Sequence, residues 1–521
     1  IRRAKLFVFL RQHRHTLFTD AFQQELLTLY KDQPQGHPPI PPAPLALATL
    51  LHAYTRVSDA EVIEATLMDR RWQLVLDCLD CETPPFSKGT LVAFRQRLMA
   101  QEMDRRLLER TVDLAATNGA CGARQLRAAL DSSPLWGAGR GEDTYNLLGQ
   151  ALRKAVGVIA RQQGRGLRAV AEEPGAALVA GPSLKAALDL DWDEATAQPH
   201  ALTMILDALS AVEHWLDTQP VEEETTSHAM ASLAVAQQGC AQDLTTPPEG
   251  PPTMRQGVAA ERRMSVEDAE MRHGRKSRSL LVDGYKRQVL RDLDSRLIVA
   301  VGVTPANAPE ARVTDAIETD LAAQKGTLRE WHIDRAYVAS TLVQQRTDTL
   351  AIFCKAWPVQ QGPFFPKTAF ALDWHQHVLQ GPGGVTMPFE PGGLVKFPAA
   401  PGASCALRPR CPTSASGRSV SIHPDEALLQ ELRERQQTPQ GRAKLRERVA
   451  VEHALAHIGH WQGRRARYRG VRKNVFDLRR CAVIHNLHVL ASLTERTQQA
   501  AGILDRCSRT QTSSHRTMDV R

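Results

Sequence analysis

The chain has 521 residues, 42% hydrophobic and 23% charged, and Lys plus Arg (65) exceed Asp plus Glu (57) by 8. This composition excludes a disordered chain, and the length suits two to four domains of roughly 150 residues. No apolar run approaches the roughly 20 residues of a membrane helix, and nine scattered cysteines read as reduced thiols, not as a disulfide framework.

The expectation is therefore a soluble, cytoplasmic, nucleoid-associated protein whose basic balance favours an acidic partner, most plausibly nucleic acid. The chain starts at Ile1, which suggests that its true N-terminus is missing, and the run LFVFL is too short for a secretory signal. Residues 1–118 read as an all-α N-terminal domain separate from the rest of the chain. A Pro-rich break at 37–44 precedes an apolar-periodic run at 45–54. Ser58 and Glu61 have capping-box spacing, with Val57 placed as a staple, and Ser87 is the expected N-cap of a later helix. Short helices with tight turns suit a helix-turn-helix DNA-binding unit; a packing or dimerisation domain fits equally. Cys78 and Cys81 lack a second pair and read as incidental.

A core of alternating strands and helices is expected over 119–356. Residues 124–136 read as a short strand ending in Asp131 and followed by a turn. An insert and linker at 141–253 begins with an amphipathic helix at 141–164, continues helical through 185–188 and 201–216, and ends in an acidic, then Pro-rich linker over 219–253. Residues 279–290 and 296–303 read as paired strands. A helix at 309–324 follows, then a strand at 328–333 stopping at Asp334, and another at 349–355. Residues 357–423 form a Gly/Pro-rich irregular insert with no room for regular core elements. Helices return at 425–432, 441–457 and 476–493 within a last core segment, 424–494, and a polar tail, 495–521, is expected to fray.

Asp131 and Asp334 stand at predicted strand ends, and Glu452 sits inside a helix. Carboxylates from neighbouring strand ends project into one crevice, and a packed helix can add a third. Such a cluster can hold two Mg²⁺ ions, which prefer oxygen ligands, about 4 Å apart. Around Glu452 the chain is strongly basic, with 12 Lys/Arg against 3 Asp/Glu over 440–480, so the rest nets −1. This pattern fits a metal-binding acid beside a polyanion, or a solvated basic surface with a stray acid.

Several strings resemble the DDE transposases of bacterial insertion sequences, in the branch numbered eleven eighty-two. They are PPAPLALATLLHAY, VSDAEVIEAT and FSKGTLVAFRQRL near the start, LDSSPLWGAGRGEDTYNLLG (130–149), SVEDAEMRHGRKS (265–277), VDGYK (282–286), VTPANAPE (303–310), IDRAY (333–337), and the long string at 446–480 containing GRRARYRG. The resemblance implies an α/β, RNase H-like mixed sheet flanked by helices, with an all-α N-terminal domain and two inserts. It maps Asp131, Asp334 and Glu452 onto the catalytic, metal-binding acids, with two Mg²⁺ ions as cofactor and Mn²⁺ as substitute. The implied partners are double-stranded DNA, at the element's ends and at the target, and a second copy of the chain on that DNA, with no membrane.

Further residues acquire candidate DNA-binding roles. Arg464, Arg465, Arg467, Tyr468 and Arg469 follow the catalytic helix; arginine suits phosphate and tyrosine can stack on an unpaired base. The alternative is a basic surface with Tyr468 in the core. His273, Arg275 and Lys276 precede the second strand, and Lys286 lies on a strand near the acids, placed to contact the scissile phosphate. Arg448 is one helical turn before Glu452 and can orient its carboxylate. Relatives in this resemblance carry a cysteine cluster in the second insert. Here Cys405 and Cys411 remain, but Gly402 and Thr386-Met387-Pro388 stand where other cysteines are expected, and His375 or His377 would not complete four ligands. No structural zinc is expected there. This loss leaves a second reading, a catalytically decayed copy acting only as a DNA-binding protein.

Overall fold

Strand β1 (Gln125–Trp136) occupies the middle of a six-stranded mixed sheet. A computed structural model gives the structure, which describes all residues except 1–3, 31–37, 118–124, 182, 195, 220–221, 246–250, 358, 360–361, 399–405, 412–416 and 516–521; side chains beyond residue 494 are likewise not described. On one side β1 pairs antiparallel with β5 (Leu281–Asp292), and on the other it runs parallel to β7 (Thr327–Ile333), which pairs parallel with β8 (Ala351–Cys354). Along the far edge of β5 lie two antiparallel strands, β4 (Arg272–Arg275) and then β6 (Ile298–Pro305). Between β1 and β4, a two-residue pair, β2 (Leu244–Thr245) and β3 (Thr253–Met254), closes the insert.

Contrary to the expected turn after Asp131, β1 continues to Trp136. The parallel ladder with β7 stops at Ala129↔His332, whereas the antiparallel ladder with β5 persists to Trp136↔Gly284. Asp131 is therefore mid-strand, at the end of one pairing only. Gly284 has φ +154°, and a Cβ there would meet the Gly137 nitrogen at 2.3 Å, so this close crossing accepts only glycine.

Among the described residues, seven helices precede the sheet: α1 (Lys5–Leu17), α2 (Asp20–Leu27), α3 (Pro42–Thr55), α4 (Asp59–Met68), α5 (Arg70–Leu76), α6 (Lys88–Ala100) and α7 (Asp104–Thr117). The Ser58–Glu61 capping box opens α4, Ser87 caps α6, and Pro sits in the first turn of α3. Cys78 is buried in this bundle and Cys81 is exposed. The bundle is not a separate body. Leu10, Leu51 and Leu108 share one apolar cluster with Val289, Ile458 and Ile484, because the C-terminal helix lies between bundle and sheet. Polar ties reinforce the join: Asn486 donates to Ile298 O (2.8 Å) and Thr111 Oγ1 (2.9 Å), and accepts from Ile298 N (2.8 Å).

The first insert holds α8 (Thr144–Gln162), α9 (Leu167–Glu172), α10 (Leu184–Leu188), α11 (Ala197–Asp217) and α12 (Glu223–Asp243) around its own core of Leu148, Leu152, Ile159, Ile205, Val212 and Leu233. Helix α12 overturns the expected linker at 219–253. Ala229, Ser232, Leu233, Ala236 and Gly239 recur at helical spacing and bury one face. A Cβ on Gly239 would come 3.1 Å from Leu148 Cδ2, so the glycine permits the close approach to α8. The acidic residues read as linker, Glu223 and Glu224, occupy the first turn, where the helix dipole favours negative charge.

After β6, a 3₁₀ turn (Glu310–Val313) leads into α13 (Thr314–Ala323), and α14 (Thr341–Gln344) follows β7. The second insert is also more regular than expected. Strands β9 (Ala371–Asp373), β10 (Val378–Gln380) and β11 (Thr386–Pro388) form one sheet, while β12 (Leu394–Phe397) and β13 (Arg418–Ser421) form another. They enclose Phe365, Phe370, Leu379, Phe389, Val395 and Ile422. Short strands separated by Gly/Pro turns hide such a core from a periodicity reading. Cys411 packs against this cluster; Cys405 and Gly402 lie outside the described residues.

The chain ends in α15 (Glu426–Gln437), α16 (Pro439–Glu447), α17 (Val449–Gln462) and α18 (Val471–His515). The single helix expected at 441–457 is two, joined at Arg448. Helix α18 continues through His515 where fraying was expected from 495.

A candidate active site around Arg448

The register ends with Ala129 aligned to His332, so Asp131 lies two residues further along β1 and Asp334 immediately after the end of β7. Asp131 is 7% exposed. Its Oδ1 accepts from Ser132 N at 2.8 Å, and its Oδ2 accepts from Arg448 Nη1 at 2.6 Å. Asp334 caps the short turn after β7, accepting from Arg335 N at 2.6 Å. Helix α17 packs on β1 and β5. It presents Glu452, whose side chain is half exposed and accepts from Arg448 Nη2 at 3.1 Å.

Arg448 is thus the hub. Burial opposes its charge, but Asp131, Asp334 and Glu452 together hold it more firmly protonated than a free guanidinium. Burial likewise pushes the Asp131 carboxyl above its usual range, and Arg448, the Ser132 amide and Lys276 pull it back. The i,i+4 orientation of Glu452 by Arg448 is present, and the same guanidinium also bridges to β1. Arg448 bonds Asp131 and Glu452 directly, Asp334 acts on its charge, and carboxylate oxygens are the donors that hard divalent ions prefer.

Among the nine candidate DNA contacts, Lys276 alone is seen bonded at the site: its Nζ donates to Ser132 Oγ at 2.5 Å and to Glu310 Oε1 at 2.9 Å. His273 instead bonds Asp283 (2.6 Å), and Arg275 donates to Arg278 O (3.1 Å). Lys286 is buried and donates to Ala308 O at 2.9 Å, with burial lowering its pKa. In this conformation it points into the protein. The loop after α17 joins the sheet beside β1: Trp136 N donates to Arg464 O (2.9 Å) and Ala466 N to Trp136 O (2.6 Å). Arg464 is exposed. Arg465 donates to Gly137 O (3.0 Å) and Gly139 O (3.3 Å), Arg467 meets His52 Nε2 (3.3 Å), and Arg469 donates to Glu267 (2.5 Å). Tyr468 packs edge-on against Phe476, and its hydroxyl accepts from Arg480 at 3.3 Å. The basic string largely fastens the loop in place.

Sequence reasoning missed several residues. Ser132 and Glu310 complete the surroundings of Lys276, and Tyr337 is fully buried, its hydroxyl pKa raised by burial and then by Glu310 and Asp131. Glu330, His332 and Glu447 form a second group whose ligand-type atoms all lie within 4.8 Å of one another; among the described residues no other group of three meets that spacing, and the acids around Arg448 do not. A signal for it existed: Glu330, His332 and Asp334 alternate with Trp331 and Ile333, which places them on one face of β7. Despite burial, bonds from Lys444 and Arg127 hold Glu330 down at about 2, while burial lowers the His332 pKa.

Fold and site together describe a mixed α/β protein in which three acids, one of them in the central strand of the sheet, surround Arg448. Comparison with known families adds two matches. Residues 393–491 match the family described as "Transposase DDE domain", and residues 5–97 match "Transposase domain (DUF772)". Both support a DDE transposase family. The first covers Glu452 and Arg448, and neither reaches Asp131 or Asp334. No curated protein and no solved structure matches the chain. Among the described residues, no helix is long and apolar enough to cross a membrane.

Proposed function

We propose that the chain is a DDE transposase of the insertion-sequence branch numbered eleven eighty-two, with an RNase H-like core. In this reading it binds the terminal inverted repeats of its element, cleaves DNA and joins the freed 3′ end to target DNA. The observation that carries the proposal is that Asp131 on β1, Asp334 just after β7 and Glu452 on α17 all act on Arg448. Asp131, Asp334 and Glu452 would hold two Mg²⁺ ions, with Mn²⁺ as substitute. When bound, these ions would activate the attacking water or 3′-hydroxyl and stabilise the leaving oxygen of the phosphodiester.

The protein's own residues prepare that position. Backbone amides of Ser132 and Arg335 each tie one oxygen of Asp131 and Asp334, fixing the carboxylate planes. Arg448 keeps Asp131 and Glu452 turned toward each other without close anionic repulsion. Lys276 places a positive charge beside Asp131 on the side of β4, and Arg464 extends the cationic surface from the α17–α18 loop. Two element ends require two active sites, so the working form would be a homodimer on DNA.

The test is Mg²⁺-dependent cleavage of a duplex carrying the element's own end, by wild type and by Glu452→Gln, Asp131→Asn and Asp334→Asn. Cleavage by wild type that each substitution abolishes, with end binding retained, supports the proposal. Specific binding without cleavage by any form would identify a decayed, DNA-binding copy. Equal cleavage by wild type and Glu452→Gln would remove Glu452 from the site.

A further inference from the structure

One strand step below the acid cluster, His332 is completely buried, and its two ring nitrogens have different surroundings. Nδ1 lies 3.1 Å from the backbone carbonyl of Lys444. A carbonyl only accepts, so Nδ1 carries the proton, and in the neutral ring Nε2 presents its lone pair. That nitrogen has no hydrogen-bond partner. It faces Glu330 Oε2 at 3.5 Å and Glu447 Oε2 at 3.9 Å. A lone pair facing two carboxylate oxygens is favoured by a cation between them, beyond the neutralisation that Arg127 and Lys444 already give those oxygens.

We propose that Glu330, His332 and Glu447 bind one transition-metal cation of the zinc type, at a site distinct from the acids around Arg448. Zinc accepts imidazole nitrogen together with carboxylate oxygen. A tetrahedron with bonds of about 2.0–2.1 Å has edges of about 3.3–3.4 Å. The two separations from Nε2 lie at that edge or a few tenths beyond it, too long for hydrogen bonds and suited to a shared ion. The Nδ1–H···O=C contact is the outer interaction that fixes tautomer and ring direction in metal-binding histidines, and the ring is held further by stacking on Phe353 at 4.8 Å. Entry is open from the side of Glu447, whose side chain is 35% exposed.

Two cations already serve these carboxylates. Arg127 donates to Glu330 at 2.9 Å and also bonds Glu447, and Lys444 donates to Glu330 at 2.8 Å. Arg127 bonds the same two oxygens that face Nε2, and would keep one lone pair of each while the ion takes another. Lys444, 32% exposed, is the group an incoming ion displaces into solvent. Glu447 immediately precedes Arg448, and His332 is two residues before Asp334. A bound ion would therefore pin the α16–α17 junction to β7 and fix the position of Arg448. The site does not depend on whether the acids above it cleave DNA.

The experiment titrates ZnCl₂ calorimetrically into the full chain carrying Asp131→Asn, Asp334→Asn and Glu452→Gln, which removes the neighbouring site, with Co²⁺ absorption reporting the ligand field. One Zn²⁺ per chain should bind. In that background His332→Asn should abolish binding, Glu447→Gln should weaken it roughly tenfold or more, and Lys444→Met should tighten it by removing the competing ammonium. Glu447 and Lys444 are partly exposed, so these two variants keep the test valid if His332→Asn fails to fold. Absence of Zn²⁺ binding overturns the proposal. Binding insensitive to Glu447→Gln, or not tightened by Lys444→Met, also overturns it.

Discussion

Arg448 Nη1 lies 2.6 Å from Asp131 Oδ2, joining residues 317 positions apart across the centre of the sheet. In the proposed function the divalent ions would use the same carboxylates that the guanidinium bonds, so protein cation and metal would compete. Replacing Arg448 with Met leaves Asp131 buried without its partner, and breaking such a pair is strongly destabilising. Added Mg²⁺ should then restore stability. The melting temperature of Arg448→Met should rise on the order of 5–10 °C at saturating Mg²⁺, and that of wild type by less. Equal shifts in thermal melts of the two proteins would refute the competition.

The basic loop holds two kinds of arginine. Arg464 and Arg465 are both exposed, but Arg465 also bonds two backbone carbonyls of the β1–α8 connection. Arg464→Ala should weaken binding of duplex DNA and reduce the salt slope by about 1, with unchanged melting. Arg465→Ala should lower the melting temperature. Salt-dependent binding isotherms and melts on both variants decide this, and a stability loss in Arg464→Ala with no change in salt slope would reverse the assignment.

Glu142 opens the first insert with Oε2 buried and unpaired. Burial, aided by Asp143 and Glu267 against Arg140, raises its pKa to about 7. The folded state then binds a proton more tightly than the unfolded one, so this contribution is fully present below about pH 4.5 and is lost as pH rises to about 7. Glu142→Gln removes that loss. It should stabilise the protein at pH 8 by on the order of 1–3 kcal/mol and leave it nearly unchanged at pH 4. Denaturant unfolding at the two pH values measures the difference, and equal effects would show that Glu142 is not protonated in the fold.

Asp104 joins three parts of the molecule. Its carboxylate receives Arg472 and Arg479 from α18, and Arg479 continues to Asp320 on α13 at 3.0 Å. Asp104 is 1% exposed. Asp104→Ala leaves two arginines short of a partner, one buried, and should destabilise by about 3–5 kcal/mol. Because bundle and sheet share one core, the two should unfold together. Chemical denaturation followed by hydrogen exchange of bundle and sheet amides checks both points; bundle amides exchanging at lower denaturant than those of the sheet would mean that the bundle unfolds independently.

The sequence by itself determined the local elements and the chemistry they carry. Capping residues such as Ser58 and Ser87, the β-branched run of β6 and the acid ending β7 act through neighbours a few residues away, and that range is what periodicity records. Composition alone could not place α12, because its acidic start resembles a linker until its buried face meets α8. Nor could it find the core of the second insert, whose strands are only three or four residues long. The basic string at 464–469 is legible as charge, but its orientation is not: Arg465, Arg467 and Arg469 reach acceptors on distant segments, so tertiary structure alone shows that they brace the loop. The same holds at the site. The sequence supplied Asp131, Asp334 and Glu452 one at a time, and strand register together with the seating of α17 brought them around Arg448. The physical reason is range. Propensity and capping act over one or two turns, whereas the charge balance of a buried carboxylate is set by whichever residue, however distant in the chain, folding brings within a few ångströms.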